Sequence, residues 1–236
     1  MKKTIIYLLT LVLFYSCTPH DASNTFTDSR DGKVYKTVAV GDQVWLAEDL
    51  AYLPAVSPAA TGSQTESHYY VYGYEGTDVA QAKATDNYGT YGVLYNLQAA
   101  MTACPEGWHL PSDAEWTQLE EYLIANGHNY DGTTEGDKIA KSMASATRWS
   151  DCSDEGVPGN TDYPAYRNKS GFSALPGGSR TAENTFYAIS AAVAWWSSTE
   201  SNSTAWYRVL YFDEIDLYRN NYSSKDNGLS VRCMRD

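Results

Sequence analysis

The sequence predicts an α+β domain made of irregular antiparallel sheets, two to three short helices and long loops. The 20 tyrosines and 7 tryptophans are plentiful whereas leucine and isoleucine are sparse, which indicates a core built from aromatic side chains. Short segments in which polar and apolar residues alternate recur in the last third of the chain, separated by Gly and Asn residues that are typical of turns. The clearest helix signal, a capping box, lies near the middle of the chain.

The N-terminus has the pattern of a signal peptide. Lys2 and Lys3 precede an apolar run from Thr4 to Tyr15, which is too short to span a bilayer, since a spanning helix needs about 20 residues. Ser16 and Cys17 follow this run and resemble the lipobox of bacterial lipoproteins, in which the cysteine thiol receives a diacylglycerol and becomes the new N-terminus. The alternative is an ordinary signal peptide followed by an incidental cysteine.

The remaining chain predicts one acidic domain held beside a membrane by its lipid. Removal of Lys2 and Lys3 leaves 15 basic residues against 29 acidic ones, a net charge of −14, which argues against nucleic acid as a partner. We expect residues 1–17 to be a signal peptide ending at lipidated Cys17, residues 18–25 to be a tether, and residues 26–236 to be a single domain. The predicted location is the cell envelope, as an outer-membrane lipoprotein that faces the cell surface or the periplasm.

The first half of the domain carries one hairpin, a tyrosine-rich stretch and one helix. Lys33–Leu46 alternates around the turn residues Gly41-Asp42, which predicts a β-hairpin. Tyr69–Gly92 is rich in Tyr, Gly and Asn and predicts strands joined by loops. Leu94–Cys104 has apolar residues at helical spacing and ends before Pro105.

The second half begins with the capping box. Ser112 and Glu115 predict a helix start, and the helix should end near Asn126-Gly127. A further helix is expected from Asp137 to about Ala146, and Cys152–Lys169 should be a long surface loop. The remaining predicted strands are Gly171–Gly178, Ala194–Ser198, Ala205–Tyr211, Asp213–Arg219 and Leu229–Met234, with turns at Gly177-Gly178, Ser201-Asn202, Asn220-Asn221 and Asn227-Gly228.

Five segments in order carry a resemblance. They are residues 37–50, 103–116, 171–180, 195–200 and 230–236, which read TVAVGDQVWLAEDL, ACPEGWHLPSDAEW, GFSALPGGSR, WWSSTE and SVRCMRD. Together they resemble the Fibrobacter succinogenes major paralogous domain over roughly residues 26–236. The resemblance implies a protein of the kind found on lipoproteins and secreted proteins of Bacteroidetes and Fibrobacteres, a family whose biochemical role is largely undefined.

The same segments are more distantly similar to the C-type-lectin-like and sulfatase-modifying folds. This similarity implies a C-type-lectin-like domain, and it implies a disulfide between Cys104 and Cys233, because those positions match a cysteine pair of C-type lectins. The alternative is two buried free thiols. In either case Cys152 remains unpaired if Cys17 is lipidated, because three cysteines allow at most one pair.

Neither catalysis nor metal binding is predicted. The candidates His109, His128 and Cys152 lack the nucleophile, base and orienting group that catalysis needs, and the two aspartates beside Cys152 disfavour its thiolate. A cysteine pair like that of the sulfatase-modifying enzymes is missing, as are the Glu-Pro-Asn, Gln-Pro-Asp and Trp-Asn-Asp triplets of sugar-binding lectins. The scattered carboxylates have spacings that ordinary turns also produce; they are Asp28, Asp31, Asp151, Asp154 and Asp162. We therefore expect no cofactor and no metal.

The aromatic residues of the last third are the predicted ligand-binding residues. Trp195 and Trp196 are adjacent in a predicted strand, so one should face the core and the other solvent. Exposed Trp and Tyr rings pack against sugars and dominate protein interfaces. The candidate set is Trp195, Trp196, Trp206, Tyr207, Tyr218 and Tyr222. We expect a non-catalytic binding protein that recognises glycan or polysaccharide; the alternative is a structural or adhesive module that docks to another surface protein.

Overall fold

A computed structural model describes residues 24–236. The predicted signal peptide, Cys17 and most of the 18–25 tether lie outside the described residues, although Thr25 already belongs to the first strand. The strands are β1 (Thr25–Thr27), β2 (Val34–Val40), β3 (Gln43–Leu46), β4 (Tyr69–Tyr70), β5 (Leu94–Tyr95), β6 (Trp108–His109), β7 (Gly177–Arg180), β8 (Phe186–Ile189), β9 (Ala192–Ser201), β10 (Thr204–Tyr211), β11 (Tyr218–Ser224) and β12 (Met234–Arg235). The helices are α1 (Val79–Lys83), α2 (Asp86–Tyr91), α3 (Leu97–Ala100), α4 (Asp113–Ala125) and α5 (Ala140–Met143). Within this range, every helix is too short or too polar to cross a bilayer.

The first sheet has the strand order β1-β2-β3-β12-β6. β2 and β3 form the predicted hairpin, in which Val38 lies opposite Trp45. β12 inserts between β3 and β6, so that Met234 pairs with both Trp45 and His109. The last described strand therefore lies inside this sheet and pairs with two strands that precede it by more than a hundred residues.

The second sheet has the order β11-β10-β9-β7-β8 and carries the candidate site. β9 and β10 form a long hairpin with a bulge between Ala205 and Tyr207. β7 runs parallel to β9 through the pair Gly178 and Val193, so this sheet is mixed and not purely antiparallel. The α+β class with irregular, mostly antiparallel sheets is confirmed, together with a two-stranded sheet of β4 and β5.

Helix α4 follows its sequence signal. The Ser112 hydroxyl accepts from the Glu115 backbone N–H at 3.3 Å, and the Glu115 carboxylate accepts from the Ser112 N–H at 2.7 Å, which is the predicted capping box. The C-cap is Asn126, as expected. The helix forms where predicted because its start and stop signals are local.

The other helices depart from expectation. The predicted helix Leu94–Cys104 shrinks to α3, because its first two residues pair as β5 with β4. The predicted helix from Asp137 shrinks to α5. The prediction of strands and loops alone for Tyr69–Gly92 is wrong, since α1 and α2 lie there. The side chains of Asp78 and Thr85 cap these two helices by accepting from backbone N–H groups one turn ahead.

The last third forms strands, several of them with shifted bounds, and the predicted turn Gly177-Gly178 is wrong because both residues lie in β7. Asn220-Asn221 is not a turn, because Asn220 lies opposite Tyr207 in the middle of β11. The connection is the segment 212–217, part of the predicted strand Asp213–Arg219. Tertiary pairing with β10 overrides the turn preference of asparagine here. β8 was not predicted.

The hydrophobic core has two clusters of buried side chains, and four aromatic side chains form the centre of one of them. Trp45, Trp116, Phe172 and Trp195 have ring centroids 4.7–5.9 Å apart. The guanidinium of Arg232 lies 4.3 Å from the Phe172 ring centroid and forms an ion pair with the carboxylate of Asp49 at 2.7 Å. Each of the five segments that carry the resemblance supplies at least one of these residues, so the segments meet in the core.

Cys104 and Cys233 form a disulfide with an S–S distance of 2.05 Å, which confirms the pairing that the resemblance implies. The bond joins the end of the α3 region to the residue before β12. Cys152 is a free, half-buried thiol.

Candidate ligand-binding site

Trp195 and Trp196 both lie in the core, so the prediction that one of them faces solvent is wrong. Each is 0 % exposed. The Trp195 indole N–H donates to Asp49 Oδ1 at 2.8 Å, and the Trp196 indole N–H donates to the Tyr95 carbonyl oxygen at 2.7 Å. Alternation along a strand exposes every second residue only when one face of the sheet is bare, and β9 is covered on both faces at this point. These two tryptophans cannot stack on a ligand in this structure.

Trp206 is also placed apart from the other candidates. The Arg219 guanidinium lies 4.1 Å from the Trp206 ring centroid and donates to the Asp113 carboxylate at the start of α4. Trp206 therefore belongs to a charged cluster at the N-terminus of this helix. It does not line the cavity described next.

The remaining candidates face one groove on the second sheet, which we call the tyrosine groove. It has a volume of about 200 Å³. Its walls are Tyr187, Tyr207, Tyr211 and Tyr222; its floor includes Ala192, Ala194, Val209 and Leu229; and its polar groups include Ser179, Ser223 and Asn227. Tyr218 lies directly beside it, with its ring centroid 5.8 Å from that of Tyr211.

Strand alternation explains why these side chains share one face. Tyr207, Val209 and Tyr211 are two residues apart on β10 and therefore point the same way. Tyr218 of β11 lies opposite Val209 on one side, and Ala194 of β9 lies opposite it on the other. Next to Val209, β9 contributes only the small side chain of Ala194. The surface of the sheet is therefore lower there than at the tyrosine rings on either side.

The tyrosine rings are ordered against one another. Tyr207 and Tyr222 meet edge to face with ring centroids 5.9 Å apart. Tyr211 and Tyr218 also meet edge to face, with ring centroids 5.8 Å apart. Burial and a hydrogen bond with Tyr222 raise the pKa of the Tyr207 hydroxyl, and burial raises the pKa of Tyr211. These hydroxyls keep their protons at neutral pH and can both donate and accept. Tyr187 and Tyr222 remain 66 % and 68 % exposed.

Asn227 supplies an unused acceptor. Its Nδ2 donates to Ser223 Oγ at 2.8 Å, while its Oδ1 is buried and has no hydrogen-bond partner among the described residues. A buried amide oxygen without a partner is uncommon, because its desolvation is not compensated. Because this oxygen has almost no accessible surface, a ligand in the groove could reach it only after the turn moves.

Arg180 fixes the two rims of the groove. Its side chain is fully buried, and its guanidinium donates to the Ala59 carbonyl oxygen at 2.8 Å and to the Asp226 carbonyl oxygen at 2.8 Å. It also donates to the Asn184 side chain in the turn before β8. One cation thus connects the turn that carries Asn227 with the turn that leads to Tyr187.

The backbone of the β7–β8 rim is held in uncommon conformations. Gly178 has φ +69°, and a Cβ there would lie 2.5 Å from the Tyr187 carbonyl oxygen. Ala188 has φ 63° although it carries a side chain. A non-glycine residue in this region costs about 1–2 kcal/mol, so the surrounding packing must stabilise the rim.

The sequence analysis missed several groove residues. Tyr187 lies on β8, whose only signal is the short run Phe186–Ile189 with strand-favouring residues. Asn227 was assigned to a turn, which is correct, but its orphan oxygen depends on tertiary contacts. The alanines of the floor carry no functional signal in the sequence. Their role is to leave space for the groove, and a small residue in a strand does not by itself predict a groove.

The candidate catalytic residues have structural partners. His109 is within hydrogen-bond distance of Asp236 Oδ1 at 2.7 Å and of Glu115 Oε1 at 3.1 Å, so both ring nitrogens are occupied. His128 is half-buried, and its Nδ1 lies 2.9 Å from the hydroxyl of the fully buried Ser142. A hydroxyl without access to solvent has no route to a substrate.

Two of the candidate calcium ligands are already neutralised by cations. Asp28 forms an ion pair with Arg30 at 2.6 Å, and Asp162 forms one with the fully buried Lys141 ammonium. Lys141 also donates to two backbone carbonyl oxygens of the Cys152–Lys169 loop. Across residues 24–236, no group of three or more His, Cys, Asp or Glu residues is arranged to hold a metal ion.

A larger cavity of about 270 Å³ lies beside the ion pair of Arg232 and Asp49. The Arg232 guanidinium donates to Asp49 and to the carbonyl oxygens of Leu46 and Phe172. These buried charges satisfy one another, and the cavity is also lined by the charged side chains of Lys33, Lys36 and Glu48.

The comparisons with known proteins give one match. The model of the family described as Fibrobacter succinogenes major domain matches residues 38–235. No curated protein and no solved structure matches the chain.

Proposed function

We propose that this chain, which belongs to the Fibrobacter succinogenes major domain family, is a non-catalytic binding protein whose tyrosine groove recognises glycan. The observation that carries the proposal is the uncharged groove, in which exposed tyrosine rings stand over an alanine floor. The proposal includes a C-type-lectin-like architecture for the domain. It also includes attachment to the outer membrane through lipidated Cys17. A Cys17→Ser variant that still fractionates with the membrane would contradict this attachment.

The groove matches the two kinds of surface on a sugar ring. The C–H face of a pyranose is apolar and packs on an aromatic face, as Tyr187 and Tyr222 offer. The sugar hydroxyls need partners of both kinds, which the protonated tyrosine hydroxyls can provide.

Protein docking is the rival function, because tyrosine also dominates protein interfaces. The shape of the site favours glycan. A cavity of about 200 Å³ with a floor of small side chains admits a narrow chain, whereas a stable protein interface needs about 800 Å² from each partner.

The test is a glycan array probed with the full-length protein in detergent, with calcium and with chelator. We expect binding in both buffers, because the residues that line the groove include no carboxylate, which calcium sites need. Tyr222→Ala and Tyr187→Ala should each weaken binding about tenfold, since truncation of a central aromatic costs more than about 1 kcal/mol. Tyr122→Ala is the matched control, because Tyr122 is 41 % exposed on α4 and lies outside the groove.

Two outcomes would overturn the proposal. The first is no glycan binding in either buffer. The second is binding that Tyr222→Ala and Tyr122→Ala weaken equally. A co-purifying protein that is lost only in Tyr222→Ala would assign the groove to protein docking.

A further inference from the structure

A second cavity shares no lining residue with the tyrosine groove. It is the cavity of about 270 Å³ beside the ion pair of Arg232 and Asp49, and we call it the charged cavity. Its walls come from β2, the segment after β3, the end of α2 and the segment before β7. Because small-molecule sites have volumes of about 300–1,000 Å³, a cavity of this size suits a ligand no larger than a single sugar ring.

The backbone that lines the charged cavity is fixed by its surroundings. Gly92 at the end of α2 has φ +75°, and a Cβ there would lie 2.8 Å from the Leu50 carbonyl oxygen. Ser173 has φ 58° although it carries a side chain. Asn168 holds it in place, since its Oδ1 accepts from the Ser173 N–H at 2.8 Å and its Nδ2 donates to the Ser173 hydroxyl at 2.9 Å. The cavity therefore has a fixed shape without a ligand, as binding sites usually do.

Asp49 presents an unused acceptor to the charged cavity. Its Oδ1 accepts from the Trp195 indole N–H at 2.8 Å and from the Arg232 Nε–H at 2.9 Å, and lies 2.7 Å from Arg232 Nη2. Its Oδ2 accepts no hydrogen bond within residues 24–236. The Asp49 side chain is 5 % exposed and lines the cavity, and its Oδ2 is not enclosed as Asn227 Oδ1 is. A donor on a ligand in the cavity would therefore complete the hydrogen bonds of this carboxylate.

The charged cavity has an excess of positive charge. Three cations, Lys33, Lys36 and Arg232, line it together with two carboxylates, Glu48 and Asp49, which gives a net charge of +1. Within the described part of the chain, Lys33 and Lys36 form no ion pair with a carboxylate. The whole chain has a net charge of −12, so a positive cavity is an exception in this molecule and attracts an anion.

We infer that the charged cavity is a second binding site, which takes a small hydroxy carboxylate such as a uronic acid. The ligand carboxylate meets the ammonium groups of Lys33 and Lys36, and a ligand hydroxyl donates to Asp49 Oδ2. A single negative charge matches the net charge of +1, whereas Glu48 and Asp49 disfavour a phosphate dianion. This site does not depend on the proposed function of the tyrosine groove, because the two cavities have no residue in common.

The test measures dissociation constants by ligand-observed NMR at one ionic strength, with the full-length protein in detergent. Galacturonate and glucuronate are compared with galactose and glucose, which carry CH₂OH in place of the carboxylate, and with acetate, which has the charge but no hydroxyl. The measurements are repeated in Tyr222→Ala, which weakens any sugar bound at the tyrosine groove. In that variant we expect a uronate to bind about tenfold more tightly than its neutral sugar and than acetate, because each of these lacks one of the two contacts.

Matched variants test the residues of the charged cavity. The double variant Lys33→Gln, Lys36→Gln should weaken uronate binding about tenfold. The control Lys83→Gln, Lys169→Gln removes the same charge from exposed lysines outside the cavity and should bind as the wild type does. Glu48→Gln keeps an acceptor for the Lys36 N–H, removes a negative charge from the cavity, and should tighten uronate binding about threefold.

The outcomes separate this inference from the proposed function. Uronates that bind no more tightly than their neutral sugars or than acetate would overturn the second site. Equal weakening in the two lysine variants, or weaker binding in Glu48→Gln, would overturn the assignment to the charged cavity. Uronate binding that is lost in Tyr222→Ala would place the ligand in the tyrosine groove and also overturn it. Uronate binding that depends on Lys33 and Lys36 would support the inference even if no neutral glycan binds.

Discussion

Replacement of Trp195 by alanine should lower the stability of the domain and should not remove a contact with a ligand. The Trp195 ring is fully buried between Trp116 and Phe172, with centroids 5.7 Å away in each case. Its N–H is a donor to the carboxylate of Asp49, which also pairs with Arg232. The substitution thus removes both packing and a hydrogen bond to a buried charge.

The expected loss is large compared with the stability of a domain. Truncation of a buried tryptophan to alanine typically lowers the free energy of unfolding by about 3–5 kcal/mol. Loss of a donor to a buried carboxylate adds roughly 1–3 kcal/mol, although the two effects overlap. A total of about 4–6 kcal/mol corresponds to a fall in Tm of roughly 10–20 °C for a domain of this size.

The assay is thermal and urea unfolding followed by near-ultraviolet circular dichroism. Trp195→Phe is the intermediate variant, because it keeps one aromatic ring but loses the N–H and part of the buried ring volume, so its loss should be about 2–4 kcal/mol. Tyr222→Ala is the control, since substitution of a side chain that is mostly exposed should change stability by no more than about 0.5 kcal/mol.

The reasoning would be refuted by a Trp195→Ala protein that melts within about 3 °C of the wild type. A variant that stays folded and loses glycan binding would return Trp195 to the ligand site. A Tyr222→Ala protein that melts more than about 5 °C lower would show that the groove wall is structural.

Two further predictions concern the disulfide and pH. The double variant Cys104→Ser, Cys233→Ser should lower the free energy of unfolding by about 4–5 kcal/mol, because the bond joins residues 129 apart in sequence and constrains the unfolded chain. Urea midpoints of the variant, and of the wild type with and without reductant, would measure this loss. An unchanged midpoint would contradict it. Burial raises the pKa of Glu120 to about 7 and that of Asp137 to about 6, above their values in the unfolded chain. The folded state therefore binds more protons than the unfolded state between these values. The free energy of unfolding should fall by about 2–3 kcal/mol per carboxyl as the pH rises from about 4 to 8. Urea midpoints across this range would check the slope, which should flatten in a Glu120→Gln, Asp137→Asn variant. An equal slope in the variant and the wild type would contradict the assignment.

Local signals predicted the parts of the fold that local contacts determine. The capping box at Ser112 and Glu115 fixed the start of α4, and the turn residues Gly41-Asp42 fixed the first hairpin. Asn220-Asn221 failed as a turn because a ladder with β10 stabilises the extended backbone more than the local preference for a turn. Where a segment pairs with distant strands, its own sequence is a weak guide.

The candidate site was predicted in part for the same reason. Tyr207, Tyr218 and Tyr222 meet at the groove, whereas Trp195 and Trp196 lie in the core. Residue type indicates which rings suit a ligand, but exposure depends on what covers each face of a strand. For Trp195 and Trp196, that cover includes residues as distant in sequence as Asp49 and Tyr95.

The meeting of all five recognisable segments around Arg232 and Asp49 has a consequence for how relatives should be compared. The shared signature describes the scaffold, because its aromatic and charged residues are buried together. The exposed groove tyrosines on β8, β10 and β11 lie outside those segments. We therefore expect relatives that keep the five segments to keep this core, whereas the exposed tyrosines of β8, β10 and β11 can differ without disturbing it.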